Sequence, residues 1–405
     1  MHLLDSNNQA TSGDANAVGI AFLPRDVIAS ILLCLPASDL RRFRLVCKEW
    51  RDIISETDFM DAHMDRGPRA PTHTIVVFPE GSGFLFNEQW RLTATFTAGG
   101  LGDMVGTCNG LLCFLDAGSP YRQGAINVVE PFTGESLTVP LPTKTKWSYQ
   151  AKSSAYCFGF DSRSRRYKIV YKGLDDTIQQ KLQVYTVRGG DDWRRVHVPD
   201  RDNHCGPVCA DGAVYWSMTG RDWLKKLVRF DLATEEIILS ESIWDLRLSD
   251  PTPALDMMTR SDPRVLVMTM RDNQEWNALI VGEGGRWVQN IGILKLPGGR
   301  DYVARPQAFQ QGHLLLEDHG RGGLYAHPFI PASRGLGLGK LLLESSSEKE
   351  PAKCSSSGRS TPGLFVPVPL TYVPAVTFSY EYRPMTFGYV PTVSPASLAY
   401  YFGSL

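Results

Sequence analysis

Cys205 and Cys209 are separated by three residues, with His197 and His204 just upstream, and thiols and imidazoles so grouped could ligate zinc. A structural zinc site wants four ligands, commonly two such pairs. No second pair of this kind stands close by, since Cys108 and Cys113, with four residues between them, fall in a strand-like run. His313, His319 and His327 surround a hairpin signal, and alternation along strands gives them no reason to converge. Gly335-Leu336-Gly337-Leu338-Gly339-Lys340 has the outline of a phosphate loop. It fails, because Arg334 stands where the first glycine belongs and Leu341 where a magnesium-binding hydroxyl is needed. Asp175-Asp176 and Asp191-Asp192 occupy turn sequences, where aspartate is favoured for bonding to backbone. Neither a Gly-x-Ser-x-Gly elbow nor a His-Glu-x-x-His helix occurs. The sequence therefore predicts no metal, no cofactor and no catalytic residue.

Aromatic side chains and arginine offer binding instead. Trp193 and Trp287 occupy matching places in a repeat and are expected to pack inside it. Trp147, Trp223 and Trp276, with Arg221, fall in long connections outside the repeat. Such residues dominate binding hot spots, so these four are the candidate contacts for a macromolecular target; covering loop bases is the other use for them.

The elements that would carry such contacts begin near the amino terminus. Leu23-Pro24 opens a helix, because proline is tolerated where its missing N–H would be unpaired anyway. Val27, Ile28, Ile31, Leu32 and Leu35 then recur at three- and four-residue spacing along one side. Leu35-Pro36 stops this helix, and Ser38 is expected to cap a second carrying Leu40, Phe43 and Val46 inward. Cys47, Trp50, Ile53 and Ile54 place a third, ending near Thr57. Phe43, Val46, Trp50 and Ile53 can form the core of this three-helix module. The first helix has more apolar residues than so small an interior can hold, which predicts a docking surface.

Leu23-Pro24-x-Asp26, Ile31-Leu32-x-x-Leu35-Pro36, Leu40, Arg44-x-Val46-Cys47-Lys48-x-Trp50-Arg51 and Ile54 together resemble the F-box. The resemblance implies a Skp-type adaptor as partner and, through it, cullin and RING subunits of a ubiquitin ligase. Carried over by position, Leu23, Pro24, Ile28, Ile31, Leu35, Pro36 and Leu40 would face the adaptor.

From about residue 72 the period changes to that of short strands. Turn signals at Gly110, Ser164, Gly212, Asp262 and Gly312 recur at intervals near fifty residues, and four β-rich runs accompany each. Four strands per repeat is the pattern of a β-propeller blade. Five copies run from Met104 to Leu343, and 74–96 supplies three strands of a sixth, read as its inner-to-outer remainder. An open ring exposes an unpaired edge, so a strand from within 364–382 is expected to complete that blade. Six blades are expected, with five and seven as the alternatives. Val105-Gly106-Thr107-Cys108-Asn109-Gly110-Leu111-Leu112-Cys113, Val128-Val129-Glu130-Pro131-Phe132-Thr133-Gly134-Glu135 and Tyr156-Cys157-Phe158-Gly159-Phe160-Asp161 are similar to plant F-box-associated domains. That similarity implies a propeller recruiting a protein target, without naming the target.

The expected organisation is a multidomain chain: a disordered start at 1–20, a helical module at 21–66, an all-β propeller at 72–343, a Ser-rich linker at 344–362 and a Pro/Tyr-rich tail at 363–405. Lys+Arg 42 against Asp+Glu 43 leaves a net charge of -1, which offers no electrostatic case for nucleic acid or anionic membrane. No apolar run approaches the ~18 residues of a membrane span, and the opening residues lack the pattern of a secretory signal. The 8 cysteines are read as reduced thiols, as in cytoplasm or nucleus. Three function classes follow: a substrate adaptor of a Skp–cullin–F-box ligase, a ligase-independent binding scaffold, and a propeller enzyme or sugar binder. The last lacks convergent ligands.

Overall fold

The computed structural model describes residues 23–68, the strands and shorter turns of 73–345, and tail segments 366–367, 375–376 and 385–389. Four helices come first: α1 (Arg25–Leu33), α2 (Ala37–Phe43), α3 (Lys48–Ser55) and α4 (Thr57–Arg66). Pro24 and Pro36 occupy the caps of α1 and α2, so Ser38 lies inside α2 instead of capping it. Cys47 is the cap of α3, its Sγ accepting the Trp50 N–H at 3.4 Å, and its side chain is exposed. The chain does not end its helical stretch near Thr57. It turns at Glu56 and adds α4, whose Phe59 and Met60 complete the core made by Ile28, Leu32, Leu40, Ile53 and Ile54. His63 Nε2 lies 2.8 Å from the Leu35 carbonyl oxygen and ties α4 to the end of α1. Phe43 and Trp50 pack edge to face at 5.4 Å against this cluster. Val46 does not join them. The helix stops at Phe43, and the turn that follows swings Leu45 and Val46 outward, 87% and 60% exposed.

Among the described residues the strands form six sheets. One is β4 (Asp103–Cys108), β5 (Leu111–Asp116), β6 (Ala125–Val129) and β7 (Ser136–Pro140), in that order. Next come β8 (Tyr156–Asp161), β9 (Arg166–Leu174), β10 (Gln180–Thr186) and β11 (Arg194–Val196). The third is β12 (Val208–Ala210), β13 (Ala213–Thr219), β14 (Leu224–Asp231) and β15 (Ile237–Asp245). The fourth is β16 (Leu255–Thr259), β17 (Val265–Met270), β18 (Glu275–Val281) and β19 (Val288–Lys295). The fifth holds β20 (Arg305–Gln310), β21 (His313–Asp318), β22 (Gly323–Ile330), with β23 (Gly335–Leu336) and β24 (Lys340–Ser345) both pairing β22.

The sixth sheet contains β1 (His73–Val77), β2 (Ser82–Phe86) and β3 (Leu92–Thr97), and the tail closes it as expected in kind but not in place. The closing strand is β27 (Met385–Tyr389), beyond 364–382, and it pairs with β1 from His73↔Tyr389 to Val77↔Met385. Thus β1–β3 do run from inner to outer, as expected. They are the second to fourth strands, and the missing one was the innermost. In β1 four consecutive residues are buried, because neighbouring sheets cover both of its faces. From within the expected window, β25 (Val366–Pro367) pairs only the outer edge of β3. Downstream, β26 (Ala375–Val376) lies parallel to β24. Inner strands β4, β8, β12, β16, β20 and β27 touch in cyclic order, so the ring closes as a β-propeller.

Hydrophobic clusters lie between neighbouring sheets. One packs Val76, Phe86 and Trp90 against Leu315, Leu324 and Leu343; another packs Val105 and Leu111 against Phe158 and Ile169. Trp193 follows its expected use, packing on Tyr185 at 5.5 Å and donating its indole N–H to the Pro140 oxygen of the preceding sheet at 2.8 Å. Antiparallel order then sorts the connections. First-to-second and third-to-fourth turns lie on one face of the ring. Second-to-third connections, and those leading to the next sheet, lie on the other.

Candidate docking surfaces

On α1 the sequence's single apolar side divides in two. Ile28 and Leu32 turn inward, while Leu23, Val27 and Ile31 remain 52%, 38% and 49% exposed. Of the residues carried over to an adaptor-facing role, Leu23, Pro24 and Ile31 are exposed, and Leu35 and Pro36 are half-buried. Ile28 and Leu40 are covered by the module's own helices at 9% and 0%, so they act as core in this chain. A nine-residue helix with Val27 and Ile31 in water, and Leu23 exposed just ahead of its Pro24 cap, presents a compact surface for another protein.

The propeller's second face is the other candidate. Trp147, Arg221 and Trp223 lie outside the described residues, but the strand ends flanking them (β7 and β8, β13 and β14) all open onto this face. Trp276 is described, and it is not in a connection: it lies within β18, opposite Met270 and Leu294. The polar Glu275 and Asn277 on either side hid that strand's start from a search for unbroken apolar runs. It too stands at the end of its strand nearest the second face.

Sequence reasoning missed Tyr121, in the β5–β6 connection on the same face. Its side chain is 99% exposed. The loop beneath it is fixed: Asp116 Oδ1 accepts the Gly118 N–H at 2.9 Å, and Arg122 grips both oxygens of the same carboxylate. The Arg122 bond holds the Asp116 carboxyl below its ordinary range. Asp116 and Arg122, six apart around a turn, are a legible pairing; that they lift a tyrosine into solvent is not.

The first face is built of short, well-bonded turns. Asp161 accepts the N–H groups of Arg163 and Ser164 at 2.9 and 3.1 Å and the Ser164 hydroxyl at 2.6 Å. Buried Lys168 lies 3.2 Å from Asp161 and 2.9 Å from Glu235 of the neighbouring sheet. Burial alone would raise the Asp161 carboxyl, but bonds from Ser164 and Lys168 outweigh it and lower it. In the next sheet, Asp231 caps its turn in the same way. These carboxylates hold backbone and a lysine, and none is left aimed at a substrate.

The thiols inside the propeller are equally occupied with packing. Burial pushes Cys209 up to about 12 and raises Cys113 and Cys157 well above the ordinary thiol value, which leaves them protonated and poor nucleophiles at neutral pH. Among the described residues no three His, Cys, Asp or Glu side chains gather as metal ligands; Cys205 and His204 lie outside them. No helix among the described residues is long and apolar enough to cross a membrane.

Comparison with known proteins bears on both parts. A model of the F-box domain matches residues 20–61, and one of the F-box associated beta propeller domain matches residues 88–246. F-box protein At1g11270 of Arabidopsis thaliana is 28% identical over 290 residues, covering 65% of this chain and 88% of that one. F-box protein At3g07870, also of Arabidopsis thaliana, is 30% identical over 166 residues, 38% of this chain and 37% of its own length. Among solved structures, a periplasmic gluconolactonase of Pseudomonas aeruginosa aligns at a TM-score of 0.37 and 10% identity, over 66% of this chain and 95% of that one. No conclusion about activity follows from a likeness of that size.

Proposed function

The chain belongs to the plant F-box proteins that carry an F-box-associated β-propeller domain, and from that premise we propose that it is the substrate-recognition subunit of a Skp–cullin–F-box ubiquitin ligase. The exposed apolar face of α1, made by Leu23, Val27 and Ile31, supports this most directly. A Skp-type adaptor would cover it and bring the cullin and RING subunits. The second face of the propeller, with Tyr121 and Trp276, would take up the protein target, and Trp147, Arg221 and Trp223 remain the sequence's further candidate contacts.

In this reading the chain is not catalytic. It supplies proximity, holding an acceptor lysine near the charged conjugating enzyme, in cytoplasm or nucleus. The test is co-purification of the full chain with adaptor and cullin, compared with a Leu23→Ser/Ile31→Ser variant. Recovery of both partners, lost in the variant, supports the reading. Failure of the intact chain to recover an adaptor removes it and favours a scaffold that works through the propeller alone.

A further inference from the structure

Among the described residues, the cluster that holds α1–α4 together contains helix residues alone, and those between the sheets contain none from the helices. The join between the two parts is polar, and Arg165 stands at it. This residue ends the β8–β9 turn on the first face. Its Nε donates to Asp61 Oδ1 at 3.0 Å, Nη1 to Asp65 Oδ1 at 2.9 Å, and Nη2 to the Asp61 backbone oxygen at 3.0 Å. The Phe160 ring lies 5.8 Å from the guanidinium carbon.

The backbone beneath is informative. Arg165 has φ 56°, a left-handed conformation that costs a residue bearing a Cβ. Two similar turns reach that conformation at Gly134 (φ 73°) and at Glu235 (φ 57°). Glycine alone satisfies such a turn. Where a charged residue stands there despite the strain, its side chain has work: Glu235 pairs with Lys168 and Arg194 of the adjoining sheet, and Arg165 pairs with α4.

We infer that Arg165 is the positioning residue that sets the orientation of the helical module on the propeller. Asp61 and Asp65 are one turn apart on α4, so one guanidinium holding both, and a backbone oxygen between them, fixes the helix against roll as well as separation. The roll of α4 sets where the exposed face of α1 points, because His63 and the shared core tie α1 to α4. The geometry stands by itself. Its consequence, a fixed span between docked adaptor and captured target, rests on the function proposed above.

The test uses the full chain with Cys34, Cys47, Cys205 and Cys354 replaced by serine, and spin labels at Asp52→Cys on α3 and Tyr121→Cys on the second face. Pulsed electron resonance should give one narrow distance distribution. Arg165→Gly should broaden it, with about a tenfold larger share of open arrangements, the scale of a few charge-assisted bonds at a partly exposed site. The propeller's melting temperature should hold or rise, since glycine suits φ 56°. Asp61→Ala/Asp65→Ala should broaden the distribution equally without touching the propeller, and Arg165→Glu with Asp61→Arg and Asp65→Arg should narrow it again. A distribution that stays narrow in Asp61→Ala/Asp65→Ala overturns the inference, whatever Arg165→Gly does to the sheet. Adaptor affinity is measured in parallel. If the intact chain binds no adaptor, the proposed function falls while the distances still decide the joint.

Discussion

Ile31 and Leu32 are neighbours on α1 with opposite surroundings, 49% and 0% exposed, and replacing each should separate binding from folding. Leu23, Val27 and Ile31 together leave about one and a half large side chains uncovered. At roughly 1.5–3 kcal/mol for a fully buried side chain, covering them should contribute about 2–4 kcal/mol to adaptor binding. The triple variant Leu23→Ser/Val27→Ser/Ile31→Ser should therefore bind about 30- to 1,000-fold more weakly. Serine has nearly the helix propensity of valine and isoleucine, so the cost to the module comes from the covered parts of the three side chains, and the exchange protection of its helices is read alongside affinity. Leu32→Ala instead opens a cavity in the core and should cost about 2–5 kcal/mol, enough to unfold a module this small.

Titration calorimetry with purified Skp-type adaptor reads the first effect, and hydrogen exchange of α1–α4 amides reads the second. Both variants are expected to lose binding, and Leu32→Ala, whose side chain is fully covered, should lose protection throughout the module's core. If the triple variant keeps the intact chain's affinity with its helices protected, α1 is not the docking face and the reasoning from exposure fails.

Four other outcomes follow from the fold. Ending the chain after Pro384 removes β27, so β1 becomes an open inner edge; its amides should lose exchange protection, and unchanged protection would refute the closure. Gly102 has φ 92°, and a Cβ there would sit 2.0 Å from the Leu115 oxygen, so Gly102→Ala should cost about 1–3 kcal/mol by urea unfolding. Asp161 has a lowered carboxyl, so its stabilisation is present above the unfolded value near pH ~3.9 and disappears as pH falls through the folded one. Acid titration of the melting temperature should be shallower in Asp161→Asn, which should also cost about 1–3 kcal/mol at neutral pH by removing the carboxylate oxygen that accepts the Ser164 hydroxyl and faces buried Lys168. Val46→Ser should leave the helical module's stability within about 0.5 kcal/mol, because that side chain already faces water.

Much of the ring was legible because hairpin turns punctuate it: each of the five turn signals, from Gly110 to Gly312, falls between the first and second strands of a sheet. What failed did so for physical reasons. Helical spacing gave α1 one apolar side but could not say which residues face inward, since α4 completes the core and its Phe59 and Met60 sit among acidic and polar neighbours. Val46 looked like core because α2 was extended through it. The closing strand was misplaced because prolines from 366 to 374 suggested edge geometry, which β25 has, whereas the strand without proline, β27, takes the inner position. Arg165 gave no signal at all, because a contact across 104 positions with a helix is invisible to turn chemistry.

Starting the ring at its second strand has a consequence for where the two docking surfaces lie. A second strand begins on the face of the short turns, so α4, which precedes it in the chain, meets that face beside the Asp161–Arg165 turn that grips it. Had the chain begun with an innermost strand, α4 would have met the opposite face, among the long connections. Four strands to a sheet preserve the sorting all round, because each outermost strand ends where the next innermost one begins. Supplying β27 from the tail thus does more than seal an edge. It frees the N-terminal part of the chain from supplying the innermost strand, and so keeps α1 on one side of the ring and Tyr121 on the other.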